Sequence, residues 1–371
     1  MRIDAKASHR EGYGSLRRTL PVVAATCLVL ATLPCAADGT ALTSKLSEAL
    51  SGTLSDIDYR LGEGLHIPGV GLNLGGYATG TYERLRGRAG RASLDNLSLS
   101  LWWEGTGRWK VFSEFDYENA ISSRSASDKD EDRYLALERI YVDYALSETT
   151  TLRAGKFLTQ IGRWNLLHAT PLVWTTSRPL VTTVAFPTNV TGLMVSSDVT
   201  VAGTTIDYSV FGSRGDEVRP NPALDPFNDA IGLRAVAPLP VGGQLGFSYV
   251  TFEQAHAEGL RKELFGLDLL WVRNGFELSA EAVYRVLHSA GIRNEGGGFL
   301  QLVAPLADRL FGVARFESYR QAQQARATEL WVAGLSYRMT PAVVLKAEWV
   351  GARHNDLHVP EGFLSSVSVL F

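Results

Sequence analysis

Strand-length segments with one apolar face and one charged face recur along most of this chain, and few folds satisfy both faces. In residues 107–119 one face reads Trp109, Val111, Phe115 and Tyr117, the other Lys110, Glu114, Asp116 and Glu118. In 275–288 Phe276, Leu278, Ala280, Ala282 and Tyr284 oppose Glu277, Ser279, Glu281 and Arg285. In 341–353 Val343, Leu345, Ala347 and Trp349 oppose Val344, Lys346 and Glu348. Alternation of this kind is the period of a β-strand. The charged faces cannot form a dry core, because an ion buried without water or a partner costs several kcal/mol. They can line water. Lipid outside, water inside and a closed ring of strands satisfy side chains and backbone together.

The segmentation agrees. Candidate strands fall at 71–84, 94–104, 107–119, 132–146, 149–157, 188–197, 200–212, 228–238, 242–254, 260–273, 275–288, 295–305, 307–320, 327–339, 341–353 and 361–371, sixteen in all. Every second connection is short, as at 105–107, 147–150, 273–275 and 339–342, while several of the others are long and polar, as at 121–132 and 213–229. Short turns at one end and long loops at the other are the asymmetry of a bacterial outer-membrane barrel. The expectation is an all-β fold: a transmembrane antiparallel β-barrel of about 16 strands spanning 71–371, preceded by a short helical segment. A mean hydropathy of −0.01 argues against a bundle of membrane helices. Abundant Gly (36) beside scarce Met (3) favours strands and turns over helices.

Arg17 and Arg18 precede an apolar run, Leu20 to Leu33, which is too short to span a bilayer. With the small residues ending at Ala37 it predicts a Sec signal peptide over 1–37, so that the exported chain starts at Asp38. Both cysteines, Cys27 and Cys35, leave with that leader; disulfides and thiol chemistry go with them. What remains carries 31 Lys and Arg against 37 Asp and Glu, a formal charge of −6, which is no footprint for nucleic acid. Leu42, Leu46, Ala49, Leu50 and Leu54 follow at helical spacing, so 38–70 reads as a periplasmic segment with a short helix.

The connection from Thr159 to Pro187 is the longest and holds Trp164, Trp174 and Phe186 among many Leu and Val. Such a loop needs burial, and folding into the barrel supplies it. From Thr149 to Ser197 there is no Asp or Glu, while Arg153, Arg163, His168 and Arg178 are present. These four are the candidate pore-constriction residues, and cations in a narrow passage favour anions. The alternative is that they pair with wall carboxylates such as Asp143, Glu114 or Asp116. The candidate lumen-lining set is Lys110, Glu114, Asp116, Asp143, Glu277, Glu281, Arg285, Lys346 and Glu348, with Trp109, Phe276, Leu278, Leu345 and Trp349 toward lipid.

Other signals are weak. "GVGLNLGG" at 69–76 lacks the spacing of a phosphate loop and reads as strand. His354 and His358 flank Asp356 in a polar loop, which favours solvent over a metal, and no GxSxG occurs. No catalytic residue, metal or cofactor is expected. The final segment, "EGFLSSVSVLF", places Phe363, Val367, Val369 and Phe371 on one face. It reads as the closing strand, paired with the first near Gly71. A terminal aromatic resembles what outer-membrane proteins show to the barrel assembly machinery.

The stretch Leu137–Asn165 resembles the strand, turn, strand and loop entry of the phosphate-selective porin O/P-like group. The matching residues are Glu138, Tyr141, Val142, Asp143, Tyr144, Gly155, Lys156, Phe157 and Gly162. The resemblance implies a sixteen-stranded channel assembled as a homotrimer. It does not extend to phosphate selectivity, because no ladder of Arg or Lys runs along the inner faces. The chain is thus expected to sit in outer-membrane lipid as a porin passing small hydrophilic solutes or anions, its third external loop folded inward. A barrel enzyme acting on lipid or acyl chains, or a closed structural or hydrophobic-transport barrel, are the alternatives.

Overall fold

A computed structural model describes residues 58–105, 107–122, 134–167, 169–220, 225–240, 242–257, 259–288 and 293–371. The expected leader with its cleavage at Ala37, and the helical spacing of Leu42 to Leu54, lie outside the described residues.

Two short strands come first, β1 (Asp58–Arg60) and β2 (Gly64–Ile67). The wall then runs β3 (Leu72–Leu85), β4 (Arg91–Glu104), β5 (Trp109–Ser122), β6 (Tyr134–Ala145) and β7 (Thr151–Leu158). Two short helices, α1 (Trp164–Leu167) and α2 (Leu180–Val184), sit in the connection to β8 (Asn189–Val201). It continues through β9 (Thr204–Arg214), β10 (Phe227–Leu239), β11 (Gly243–Gln254), β12 (Lys262–Arg273) and β13 (Phe276–Leu287). It ends with β14 (Glu295–Ala307), β15 (Leu310–Arg320), β16 (Thr328–Arg338), β17 (Val343–Arg353) and β18 (Gly362–Leu370). Each of the sixteen long strands pairs antiparallel with its sequence neighbours, and β18 returns to β3 to close the ring.

Closure is seen at the last residue. Phe371 donates its N–H to Gly76 O at 2.9 Å and accepts from Gly76 N at 2.8 Å. Below that point the free edge of β3 is taken over by β2, which pairs Leu65 with Leu74 and Ile67 with Leu72. The part of 58–70 that reads as prelude from sequence is therefore β1, β2 and a single 3-10 turn, Pro68–Val70. Such short strands carry little pattern of their own. Of the two, β2 covers the stretch of β3, Leu72 to Leu74, that lies beyond the reach of the closing strand.

The tight turns explain the even spacing at one rim. Asn274 and Gly275, between β12 and β13, both have positive φ, 52° and 81°, the two-residue turn whose twist matches the strands it joins. At the opposite rim the connections are longer, with 159–188 the longest among them.

The outer surface carries the apolar set. Phe247, Leu267, Leu300, Phe316, Trp349 and Val367 are exposed, while their strand neighbours Ser248, Asp268, Gln301, Arg315, Glu348 and Ser366 are buried inside. An apolar belt across most of the long strands far exceeds what a soluble monomer shows to water.

Candidate functional site

The interior is organised by the connection 159–188, which crosses it and is bonded to the far wall by buried charges. Glu281 on β13 accepts the backbone N–H groups of Arg163 (2.8 Å) and Trp164 (2.5 Å). Glu348 on β17 accepts those of Thr176 (2.9 Å) and Ser177 (2.7 Å). Glu317 on β15 accepts that of Leu180 at 2.6 Å, at the start of α2. Cations on the same strands serve the carbonyls. Lys346 Nζ donates to Thr170 O and Thr175 O, Arg285 to Ala185 O, and Arg315 to Ser177 O. A loop without a single acid is thus held by carboxylates from elsewhere in the chain, which satisfy backbone N–H groups that would otherwise be orphaned away from water.

The rest of the loop packs on an apolar surface. Ile161, Leu180, Val181 and Phe186 lie in one buried cluster with Phe157, Phe211, Phe252, Leu264 and Phe299 of the wall. The inner face of β7 to β16 is therefore partly apolar. Strand alternation alone does not reveal this, because both faces of such a strand read as hydrophobic.

Between the loop and the opposite wall, β3 to β6, a cavity of about 330 Å3 remains. Its lining includes Tyr77, Asp116, Glu118, Glu138, Trp164 and Arg178. Asp116 accepts from Asn96 Nδ2 at 3.1 Å, and Glu118 from the Tyr134 hydroxyl at 2.6 Å. The Arg178 guanidinium lies 4.9 Å over the Trp164 ring and donates to Asn165 Oδ1 at 3.2 Å. Burial lowers its pKa, and the carboxylates of Glu138 and Glu118 work in the other direction. Three carboxylates on the wall side of this cavity thus face one guanidinium on the loop.

The candidate constriction residues separate. Arg178 lines the cavity. Arg153 is bound in two bonds, 2.7 and 2.8 Å, to Asp143 across the β6–β7 pair and stacks over Tyr141. Of the two readings of Arg153, a cation of the constriction or a partner of a wall carboxylate, this pair with Asp143 is the second. Arg163 lines a separate pocket against β13–β16, beside Glu277 and Arg338. His168 lies outside the described residues.

Among the expected lumen-lining residues, Asp116 reaches the cavity and Glu114 is nearby, bonded to Ser98 and Arg139. Lys110 sits at the short-turn rim, paired with Glu104 at 3.0 Å. Glu281, Arg285, Lys346 and Glu348 point inward but do not meet open water; their charges are occupied by the loop or, for Arg285, also by Glu295. Sequence reading placed Glu118 on the charged face without naming it as a site residue, and did not assign Glu138, Arg315 or Glu317 to the interior. The first two were visible as acids on strands already assigned, but not as neighbours of a loop some forty residues away.

Lys156, part of the stretch Leu137–Asn165, opposes Ile140 in register, pairs with Glu217 at 2.7 Å and donates to Val218 O and Arg219 O. Burial raises the pKa of Glu217, and Lys156 pulls it back. His354 and His358 do not converge: His354 accepts from Arg326, and His358 bonds the backbone of Asp356. Among the described residues no group of three or more His, Cys, Asp or Glu could hold a metal ion. None of their helices is long and apolar enough to cross a membrane, which does not bear on crossing by strands.

No protein-family model matches the chain, and no curated protein does. Solved structures do. The chain is similar to OmpF of Salmonella typhi, in complex with daunomycin, with a TM-score of 0.59 and 11% identity, covering 81% of this chain and 97% of that one. It is similar to the outer membrane channel DcaP of Acinetobacter baumannii, with a TM-score of 0.57 and 12% identity over 81% and 97%. For an anion-selective porin from Comamonas acidovorans the values are 0.55 and 12%, over 81% and 98%. At such identities the likeness is one of fold: a closed sixteen-stranded barrel of the kind outer-membrane porins have.

Proposed function

We propose that this chain is an outer-membrane porin, a water-filled channel for passive diffusion of small hydrophilic solutes. The observation that carries the reading is the polar cavity between the 159–188 loop and the β3–β6 wall, set within a barrel whose outer surface is apolar. Lipid solvates the outside; the cavity supplies the path, and the loop narrows it. The enzyme alternative would need a nucleophile and base at a rim, and the hydrophobic-transport alternative an apolar passage; carboxylates and an arginine line this one.

In this reading ion preference follows from the local balance of charge. Asp116, Glu118 and Glu138 outnumber Arg178, so the passage prefers cations, not the anions expected from the loop sequence. More distant surface charge is screened over about 8–10 Å and matters less. The resemblance of Leu137–Asn165 to the phosphate-selective porin O/P-like group supports this architecture and a homotrimer, with Sec export and signal cleavage near Ala37 delivering the chain to the outer membrane.

Single-channel recording in planar bilayers tests it. A stepwise conductance whose reversal potential in a salt gradient has the cation sign is expected. Arg178→Gln should strengthen that sign, and Glu118→Gln with Asp116→Asn should weaken it. A barrel that inserts without conducting would overturn the reading.

A further inference from the structure

On the outer face at the long-loop rim, four aromatic rings and three arginines line a groove of about 1160 Å3. Its floor is a row of directly opposed side chains. Trp349 on β17 faces Phe363 on β18, and Phe363 faces Arg84 on β3. Trp331 on β16 stands opposite Gly351 and lies over it, since a Cβ there would come within 2.3 Å of the indole nitrogen. Tyr82 is seated over Gly90 in the same way, its hydroxyl 2.5 Å from where a Cβ would be. The absence of two side chains thus makes room for two rings. Trp349 is 60% exposed and Trp331 46%.

The rim of this groove is cationic. The connection 86–90 is only five residues long and turns through Gly87 at φ 74°, so Arg86 and Arg88 stay close to the strand that carries Arg84. Arg86 meets Glu361 at 3.9 Å with its side chain 86% exposed; among the described residues Arg84 and Arg88 form no ion pair. Three guanidinium groups against one distant carboxylate leave an uncompensated positive charge directly above an aromatic floor.

Resting on the outer-membrane reading above, we propose that this groove binds a phosphorylated lipid. The anionic headgroup lies among Arg84, Arg86 and Arg88, and an acyl chain lies along Trp331, Trp349 and Phe363. Guanidinium groups match phosphate oxygens in pairs of charge-assisted hydrogen bonds, and tryptophan at the polar–apolar boundary presents a ring to the chain and an N–H to the headgroup. A neutral lipid would satisfy the floor and leave the arginines unmatched, and a zwitterionic one offers a single phosphate charge offset by its own ammonium group.

The test uses the full chain reconstituted in vesicles of phosphatidylcholine, with quenching of tryptophan fluorescence by lipids brominated on the acyl chain. The signal belonging to the groove is the part lost in Trp331→Phe/Trp349→Phe. Brominated phosphatidic acid should bind there about tenfold more tightly than brominated phosphatidylcholine, the effect of one or two well-placed surface cations. The preference should fall as salt is raised, and Arg84→Gln/Arg86→Gln/Arg88→Gln should bring it close to parity. Equal binding of the two lipids by the unmodified protein would overturn the proposal. So would a preference that survives the triple substitution, or an absence of quenching at Trp331 and Trp349, which would mean that another copy of the chain covers this face. Conductance recorded on the same preparations separates the two claims: a channel that conducts but shows no lipid preference refutes the groove alone, and one that never conducts refutes the porin reading.

Discussion

The Glu281 carboxylate occupies the space where a side chain on Gly162 would stand: a Cβ there would lie 2.2 Å from Oε2. Gly162 also has φ of 64°, a conformation that L-residues adopt at a cost of roughly 1–2 kcal/mol. Position 162 therefore turns the chain into the barrel and lets the first anchoring carboxylate reach the N–H groups of Arg163 and Trp164. Gly162→Ala should displace that carboxylate and loosen the start of the loop while leaving the sheet intact. Limited proteolysis should show new cleavage within 159–188 and single-channel currents should become noisier; a substitution without effect on either would mean that Glu281 is not an anchor.

Arg315 and Glu317 are both fully buried and bonded to each other at 2.7 Å. Arg315→Met removes the cation and leaves a buried carboxylate, which should cost ~3–5 kcal/mol in urea unfolding of the barrel in phospholipid vesicles. Arg315→Met/Glu317→Leu should cost less than the single change, because no uncompensated charge remains. The reverse order would place the pair outside the interior.

Leu300 stands in the middle of β14 with its side chain outward, opposite Ala280 and Phe316 on the flanking strands. Leu300→Arg should destabilise the folded barrel in lipid by ~2–4 kcal/mol if it lies near the bilayer midplane. Thr205→Arg, at the exposed start of β9 beside the short turn from β8, should cost close to nothing. Equal costs at both positions would contradict a lipid-facing belt.

The barrel was legible because its signal is local. Alternation in 275–288 and in 341–353 needs only the neighbouring residues, and the turn at Asn274–Gly275 states its own geometry. The observed β13 and β17 match those segments to within a few residues. The interior was less legible because its contacts are not local. Glu348 and Ser177 are 171 positions apart, and nothing in either segment names the other. The absence of acids from 149–197 was a true signal, but it has two physical readings. One is a cationic passage; the other is a segment whose cations pair with wall carboxylates. The structure adds that such carboxylates also hold the loop's backbone N–H groups. Arg153 against Asp143 belongs to the second reading, and Glu281 against Arg163 N to this addition. The charged inner faces read as water-lined were in part faces that grip this loop.

The central claim is that solutes pass between the 159–188 loop and the β3–β6 wall. Thr183, exposed on α2, lines that cavity, and beyond residue 37 the chain has no cysteine. Thr183→Cys should therefore offer one reactive thiol on the path. Treated in a planar bilayer with a charged methanethiosulfonate reagent, it should lose roughly half or more of its single-channel current in discrete steps, as expected when a group blocks a narrow polar passage. Thr205→Cys, at the short-turn rim, should keep its current. If Thr183→Cys is fully labelled and its conductance does not change, ions do not travel along this wall.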